Sequence, residues 1–182
     1  LFAQNSAAGQ FKRITVDGSF QDWAGVPPAV VDAEDATGSF DFREVYVAND
    51  DAYLYVRVKL YAAANYDIFN HHVLIDADAD PSTGSSRAGI GSELLIENGS
   101  GYQQKNGGWN EGEASGLGWA EAPTGTLTEF EARISRSVRD AEGMLVFNNN
   151  NILLTVEAQD SSWATTDFAP DSGGIAYEFA PT

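Results

Sequence analysis

Cysteine is absent from the 182 residues, which excludes disulfides, thiolate metal sites and thiol nucleophiles together. Basic residues are scarce: 10 lysines and arginines stand against 27 acids, a formal net charge of -17. So acidic a surface repels nucleic-acid phosphates and anionic membranes, and neither is expected as a partner. The 2 histidines, His71 and His72, are adjacent. In an extended chain they point to opposite faces, so a zinc site built on the pair is discounted. No apolar run approaches the about 20 residues that a membrane-spanning helix needs. Dinucleotide fingerprints, phosphate loops and serine-nucleophile elbows are missing too. Paired acids are unavoidable among 27 carboxylates, and no base or nucleophile stands apart, so no enzyme is expected.

What is present is short-period alternation. Phe42 to Ala48 and Ala52 to Leu60 alternate across the turn Asn49-Asp50-Asp51, which predicts an antiparallel hairpin with Leu54, Val56, Val58 and Leu60 facing inward. Lys12 to Val16, Ile68 to Ile75, Ser92 to Glu97, Tyr102 to Lys105, Thr126 to Ile134, Ile152 to Ala158 and Ile175 to Phe179 read as further strands. In the Thr126 segment, Leu127 falls on the face of Glu129 and Glu131, opposite Phe130 and Ile134. Asp160 to Gly174 reads as a loop. Ser135 to Asp140 reads as one short helical turn capped by Ser135, and Phe20 and Trp23 as core aromatics. The fold class expected is all-β: an antiparallel β-sandwich, two sheets of jelly-roll or immunoglobulin-like kind, with at most that one helical turn. Residues 12–182 make a single domain and residues 1–11 an extended arm.

The densest chemistry lies where Val73-Leu74-Ile75 runs into Asp76-Ala77-Asp78-Ala79-Asp80-Pro81. If the backbone stays extended, Asp76, Asp78 and Asp80 converge on one side and repel one another. Calcium, which takes six to eight oxygens in a flexible loop, relieves that repulsion best. The spacing is not that of an EF-hand, because Pro81 and Arg87 stand at its glycine and glutamate positions. Further oxygens would come from backbone carbonyls, from Ser82 or Thr83, or from Glu93 after the return Ala88-Gly89-Ile90-Gly91-Ser92. Asp32, Asp35 and Asp41 form a second possible calcium group, with solvated acidic turns the alternative for both. Further on, Gly107-Gly108-Trp109-Asn110 and Gly116-Leu117-Gly118-Trp119 set tryptophans in glycine-rich surroundings. Pyranose rings stack on indole while amides and carboxylates bond their hydroxyls, so Trp109, Trp119 and Asn110 are the candidate carbohydrate-binding residues. Rings that merely cover a sheet edge are the alternative.

Ile14 to Gly18 with Asp22-Trp23, Asn49-Asp50-Asp51-Ala52-Tyr53-Leu54-Tyr55-Val56, the Ile75 to Gly84 loop, Gly91 to Ile96 and Glu129 to Ile134 follow one another in an order that resembles carbohydrate-binding module family 9 and its DOMON-like relatives. The resemblance runs from about Ile14 to Phe179. It implies an extracellular β-sandwich with structural calcium and, in members that bind sugar, a cleft where tryptophans sandwich a terminal glucose-type unit. Haem-binding relatives ligate iron through methionine and histidine. Met144 is the single methionine here, and no arrangement with His71 or His72 is evident.

The function expected is a secreted, non-catalytic, calcium-stabilised module with a polysaccharide or glycan partner. Export is read from the methionine-free start Leu1-Phe2-Ala3-Gln4-Asn5, which looks like a mature end. The alternative is an extracellular structural subunit of a filament or surface layer. It would self-associate by strand complementation through the apolar Leu1, Phe2 and Phe11 of its arm.

Overall fold

The computed structural model describes residues 9–65, 70–105 and 107–182. Numbered along the chain, β1 (Val30–Val31), β2 (Phe42–Asn49), β3 (Tyr53–Asn65), β9 (Ala120–Ala122) and β10 (Thr126–Ser135) form one antiparallel sheet in the order β1-β2-β3-β10-β9. The second sheet contains β4 (Asn70–Asp76), β7 (Leu94–Glu97), β8 (Ser100–Gln103), β11 (Asn151–Gln159) and β12 (Thr165–Ala169), ordered β12-β11-β4-β7-β8. On it β13 (Ile175–Glu178) pairs with the first half of β11 and β12 with the second. β5 (Ser85–Arg87) and β6 (Ile90–Ser92) make a separate hairpin. The molecule is an antiparallel β-sandwich.

The main core lies between the sheets, where Val45, Val58, Ile75, Leu94, Ile134 and Leu154 are entirely buried. Each such side chain contributes about 1.5–3 kcal/mol by leaving water. The β2–β3 hairpin turns Leu54, Val56, Val58 and Leu60 inward, as the alternation predicts. A register shift between Leu127 and Glu129 corrects the Thr126 strand. The irregularity puts Leu127 into the core beside Phe130 instead of on the face of Glu129.

Both sheets also carry apolar residues on their outer faces, and both faces are covered. Ile14, Trp23 and Val26 lie over Tyr46, Ala48 and Tyr55 of the first sheet. Lys12 to Val16 is therefore not a ladder strand. Past a parallel bridge between Phe11 and Asn49, it runs over the sheet and is pinned by side chains. Glu131, fully buried, is the central pin: Oε1 accepts from Asp17 N (3.0 Å) and Gly18 N (2.9 Å), and Oε2 from Trp23 Nε1 (2.7 Å). Gly18 serves the turn with φ +78°. On the second sheet, Ile90 of the β5–β6 hairpin covers Leu74, Leu95 and Leu153.

Among the described residues the one helical element is a 3-10 turn at Phe20–Trp23, not at Ser135 to Asp140. The latter segment cannot wind because Ser115 and Arg139 exchange backbone hydrogen bonds and Val138 is drawn into the core. Ser135 Oγ still accepts Ser137 N at 3.2 Å, a turn contact without a helix. None of these residues forms a helix long and apolar enough to cross a membrane. Leu1 and Phe2 lie outside the described residues. Phe11 is 41% exposed, and its neighbours Gln10 and Lys12 hydrogen-bond to Asn49 of the same chain.

Removing the Glu131 carboxylate strands three donors under the covering segment. Glu131→Ala is expected to cost about 3 kcal/mol or more, read as a lower urea midpoint at unchanged slope. A loss below about 1 kcal/mol refutes the pinning role.

Candidate functional site

Two acidic groups and one aromatic cleft carry the site chemistry. The first acidic group begins where β4 ends. Asp76 is wholly buried, and its carboxylate accepts Asp80 N (3.0 Å) and Gly91 N (3.1 Å). Oxygens of Asp76, Asp78 and Glu93 lie within 4.8 Å of one another. Asp80 does not join them. Ala79 takes φ +58°, which breaks the extended backbone that would have aligned the three aspartates. The Asp80 carboxylate instead accepts Ser82 N (3.0 Å) and Ser82 Oγ (2.6 Å), bonds that hold its pKa below the usual value. Its carbonyl turns inward, toward Thr83 Oγ1 at 3.0 Å.

Thr83 Oγ1 has one proton but meets the Asp78 carboxylate (3.1 Å), the Asp80 carbonyl (3.0 Å) and Glu93 Oε1 (2.8 Å). Acceptors therefore outnumber donors in this loop. Burial first, then the charges of Asp78 and Asp76, push Glu93 up to about 7. Burial and Asp78 raise Asp76 as well. The glycine at position 91 has a steric reason: a Cβ there would stand 2.2 Å from Thr83 O and 2.8 Å from Asp80 O.

The second group joins the two sheets. Asp32 and Asp35, in the connection from β1 to β2, converge with Asp167 of β12, again within 4.8 Å. Asp167 Oδ2 accepts Phe42 N at 2.7 Å. Asp41 stands outside this triad, yet its buried Oδ1, like Asp32 Oδ2, has no hydrogen-bond partner. Burial, then Asp171, Asp35 and Asp41, raises Asp32 to about 7; burial, then Asp32 and Asp41, raises Asp167 to about 7. Both groups offer oxygen donors alone, the set that suits hard cations. Asp167 is the member that sequence reasoning missed. It lies in the stretch read as a loop, and nothing local ties it to Asp32.

The cleft opens on the outer face of the second sheet, lined by Arg87, Glu97, Trp109, Gln159 and Trp163. Its floor is a row across three strands, Glu97 on β7, His72 on β4 and Glu157 on β11, each opposite the next in register. His72 and Glu157 are fully buried and meet at 2.9 Å from Nδ1 to Oε2. Burial alone would raise the Glu157 carboxyl. Hydrogen bonds from His72, Arg87 and Thr165 outweigh it and hold the group down to about 2. Gln159 Nε2 adds a bond at 3.0 Å, and Arg87 Nη2 also reaches Thr165 Oγ1 at 2.9 Å.

Above this floor stand two tryptophans. Trp109 is 42% exposed, with its ring 5.8 Å from that of His72 and the Arg87 guanidinium 5.5 Å from its centroid. Trp163 is 54% exposed and lies nearly parallel to His72, at 6.5 Å and 22°. Its φ of +68° is costly for so bulky a residue, about 1–3 kcal/mol. The Asp160 turn enforces it: Asp160 Oδ1 accepts Ser162 N and Ala164 N, while Trp163 N donates to Asp160 O. Trp119 is placed elsewhere, half-buried against the main core with Nε1 bonded to Glu121 at 2.9 Å. Asn110 turns its side chain to the Gln104 amide at 3.2 Å and does not line the cleft. Of the three residues expected to meet sugar, the cleft holds Trp109. It adds Trp163, whose one sequence signal was a tryptophan inside a polar loop.

No protein-family model matches the chain, and no curated protein does. Solved structures do. The chain is similar to a carbohydrate-binding module family 9 from Caldicellulosiruptor kristjanssonii in complex with glucose, with TM-score 0.55 and 14% identity over 97% of this chain and 96% of that one. It is also similar to a family 9 module from the same organism in complex with cellotriose, with TM-score 0.50 and 15% identity over 96% and 93%. The likeness spans nearly the whole of each chain, and this chain has the fold of those modules.

Proposed function

We propose that this chain is a non-catalytic carbohydrate-binding module that works outside the cell, holds a glucose-type unit in the Trp109–Trp163 cleft and is stabilised by calcium at its two acidic groups. One observation carries the reading. Two exposed indoles pack over the buried, hydrogen-bonded pair His72 and Glu157, and Arg87, Glu97 and Gln159 line the same cleft. Indole faces take the C–H faces of a pyranose, and the carboxylate, amide and guanidinium take its hydroxyls. Glucose and cellotriose in the neighbours of like fold support that ligand class. Glu157, under the cleft, is saturated with donors, which suits a structural role over that of a nucleophile.

Calcium fits the acidic groups for a separate reason. Asp76, Glu93, Asp32 and Asp167 bring carboxylates out of water, and none of the ion pairs among the described residues reaches them; Lys105, near the first group, pairs with Glu142. A divalent ion supplies the missing positive charge, and oxygen-only sites in extracellular modules suit dissociation constants of about 0.1–1 mM.

Cellotriose titrated by calorimetry and tryptophan fluorescence tests the cleft. Trp109→Ala and Trp163→Ala are each expected to weaken binding by about tenfold or more. Trp119→Ala should lower the melting temperature but leave affinity alone. A wild-type protein blind to cellotriose and glucose sinks the reading.

Calcium in about hundredfold excess over its dissociation constant should add about 2.7 kcal/mol per site, or about 5–10 °C in melting temperature. With chelator, pH sets the sign. Asp32, Glu93 and Asp167 keep protons to about 7 when folded, against ordinary carboxylate values when unfolded. The folded state thus binds more protons from pH 4 to 7, and its stability falls as pH rises through that window. Melting curves in chelator from pH 5 to 8 should show this decline and calcium should abolish it; a metal-free protein that gains stability toward pH 8 contradicts the assignment.

A further inference from the structure

His72 lies in the floor beneath the cleft and outside the core between the sheets. Its side chain is 0% exposed, directly beneath both tryptophan rings. Nδ1 is engaged by Glu157, whereas Nε2 lies 3.3 Å from Glu97 Oε2 with no aligned hydrogen bond. The two carboxylates differ in how they are held. Glu157 is anchored by Arg87, Thr165 and Gln159, so it cannot follow a change at His72. Glu97 has a side chain 15% exposed at the cleft wall, and inside the floor it faces Nε2.

Charge decides what that contact does. Groups facing the imidazole are Glu157 and Gln159 from β11, Glu97 from β7, Arg87 from β5 through Glu157, and the two indoles. With His72 protonated, two cations, His72 and Arg87, balance two carboxylates, and the charge at Nε2–H lies 3.3 Å from Glu97 Oε2. With His72 neutral and Nδ1–H given to Glu157, the Nε2 lone pair points at the Glu97 carboxylate. Two acceptors then face each other out of water, and the mobile one must leave.

We propose that His72 is a positioning residue of the sugar cleft: its protonated imidazole holds the Glu97 carboxylate against the floor for a sugar hydroxyl, and deprotonation releases Glu97 and weakens binding. The inference rests on the sugar-site reading above and adds to it a proton as regulator of affinity. His71 is a built-in comparison. It points to the opposite face, 6.4 Å from the Phe130 ring, and its near carboxylate is Glu121.

The test is cellotriose affinity from pH 5.5 to 8.5 at saturating calcium, in wild type, His72→Gln, Glu97→Gln and His71→Gln. Wild-type affinity is expected to fall about tenfold across that range, the worth of one charge-assisted contact. The slope should vanish in His72→Gln and in Glu97→Gln, whose amide suits either state of the ring, and persist in His71→Gln. Glu97→Gln changes a cleft-wall residue, so it reports even if the buried His72 variant does not fold. The metal-site carboxylates act with opposite sign, since rising pH favours cation binding there. A flat or rising wild-type profile, or a slope that survives Glu97→Gln, overturns the role of His72 while leaving the sugar site intact. Failure to bind cellotriose or glucose at any pH removes the sugar site and this inference with it.

Discussion

A sandwich hides one face of each sheet and leaves the other to water, and in this protein neither outer face can bear it. Tyr46, Ala48 and Tyr55 on one sheet and Leu74, Leu95 and Leu153 on the other are apolar patches, and covering them removes apolar surface from water. Much of what distinguishes the chain from a plain two-sheet stack answers that demand. The segment from Ile14 to Val26 is clamped over the first face by Glu131, and the β5–β6 hairpin is laid over the second. The Trp109–Trp163 cleft lies on the same second face, where the row of side chains changes from leucines to Glu97, His72 and Glu157.

The carboxylates show how the same buried group meets three fates. Glu131 is satisfied by neutral N–H donors and serves as a clamp. Glu157 is held ionised by Arg87 and by donors from His72 and Thr165, and stiffens the cleft floor. Asp76 with Glu93, and Asp32 with Asp167, have neither remedy in full, so their pKa values rise. Desolvation is common to all of them; what differs is the donor set that the fold brings up, and this separates structural acids from candidate ligands.

The fold was legible in the sequence because period-2 alternation reports burial directly. Leu54 to Leu60 states which face is inward without any knowledge of partners. What could not be read locally was whatever depends on a second chain segment. The clamp needs Glu131 to meet Asp17 and Trp23, and the second acidic group needs Asp167 to meet Asp32. Nothing near either residue in sequence signals the encounter. The loop acids were legible as a cluster but not in their detail, since one left-handed residue, Ala79, exchanged the Asp80 carboxylate for its carbonyl. Trp109 was readable as a candidate from its glycine-rich setting. Trp163 became one only when β11 and β12 brought its turn beside His72.

The β5–β6 hairpin has a wider bearing than its six residues of strand suggest. At one end Gly91 is bonded to Asp76; at the other Arg87 reaches Glu157 under the tryptophans. Ile90, the cross-strand partner of Arg87, seats the hairpin on the leucine patch. One short hairpin is thereby built into both the acidic loop and the cleft wall, so a change in its few residues touches both places at once.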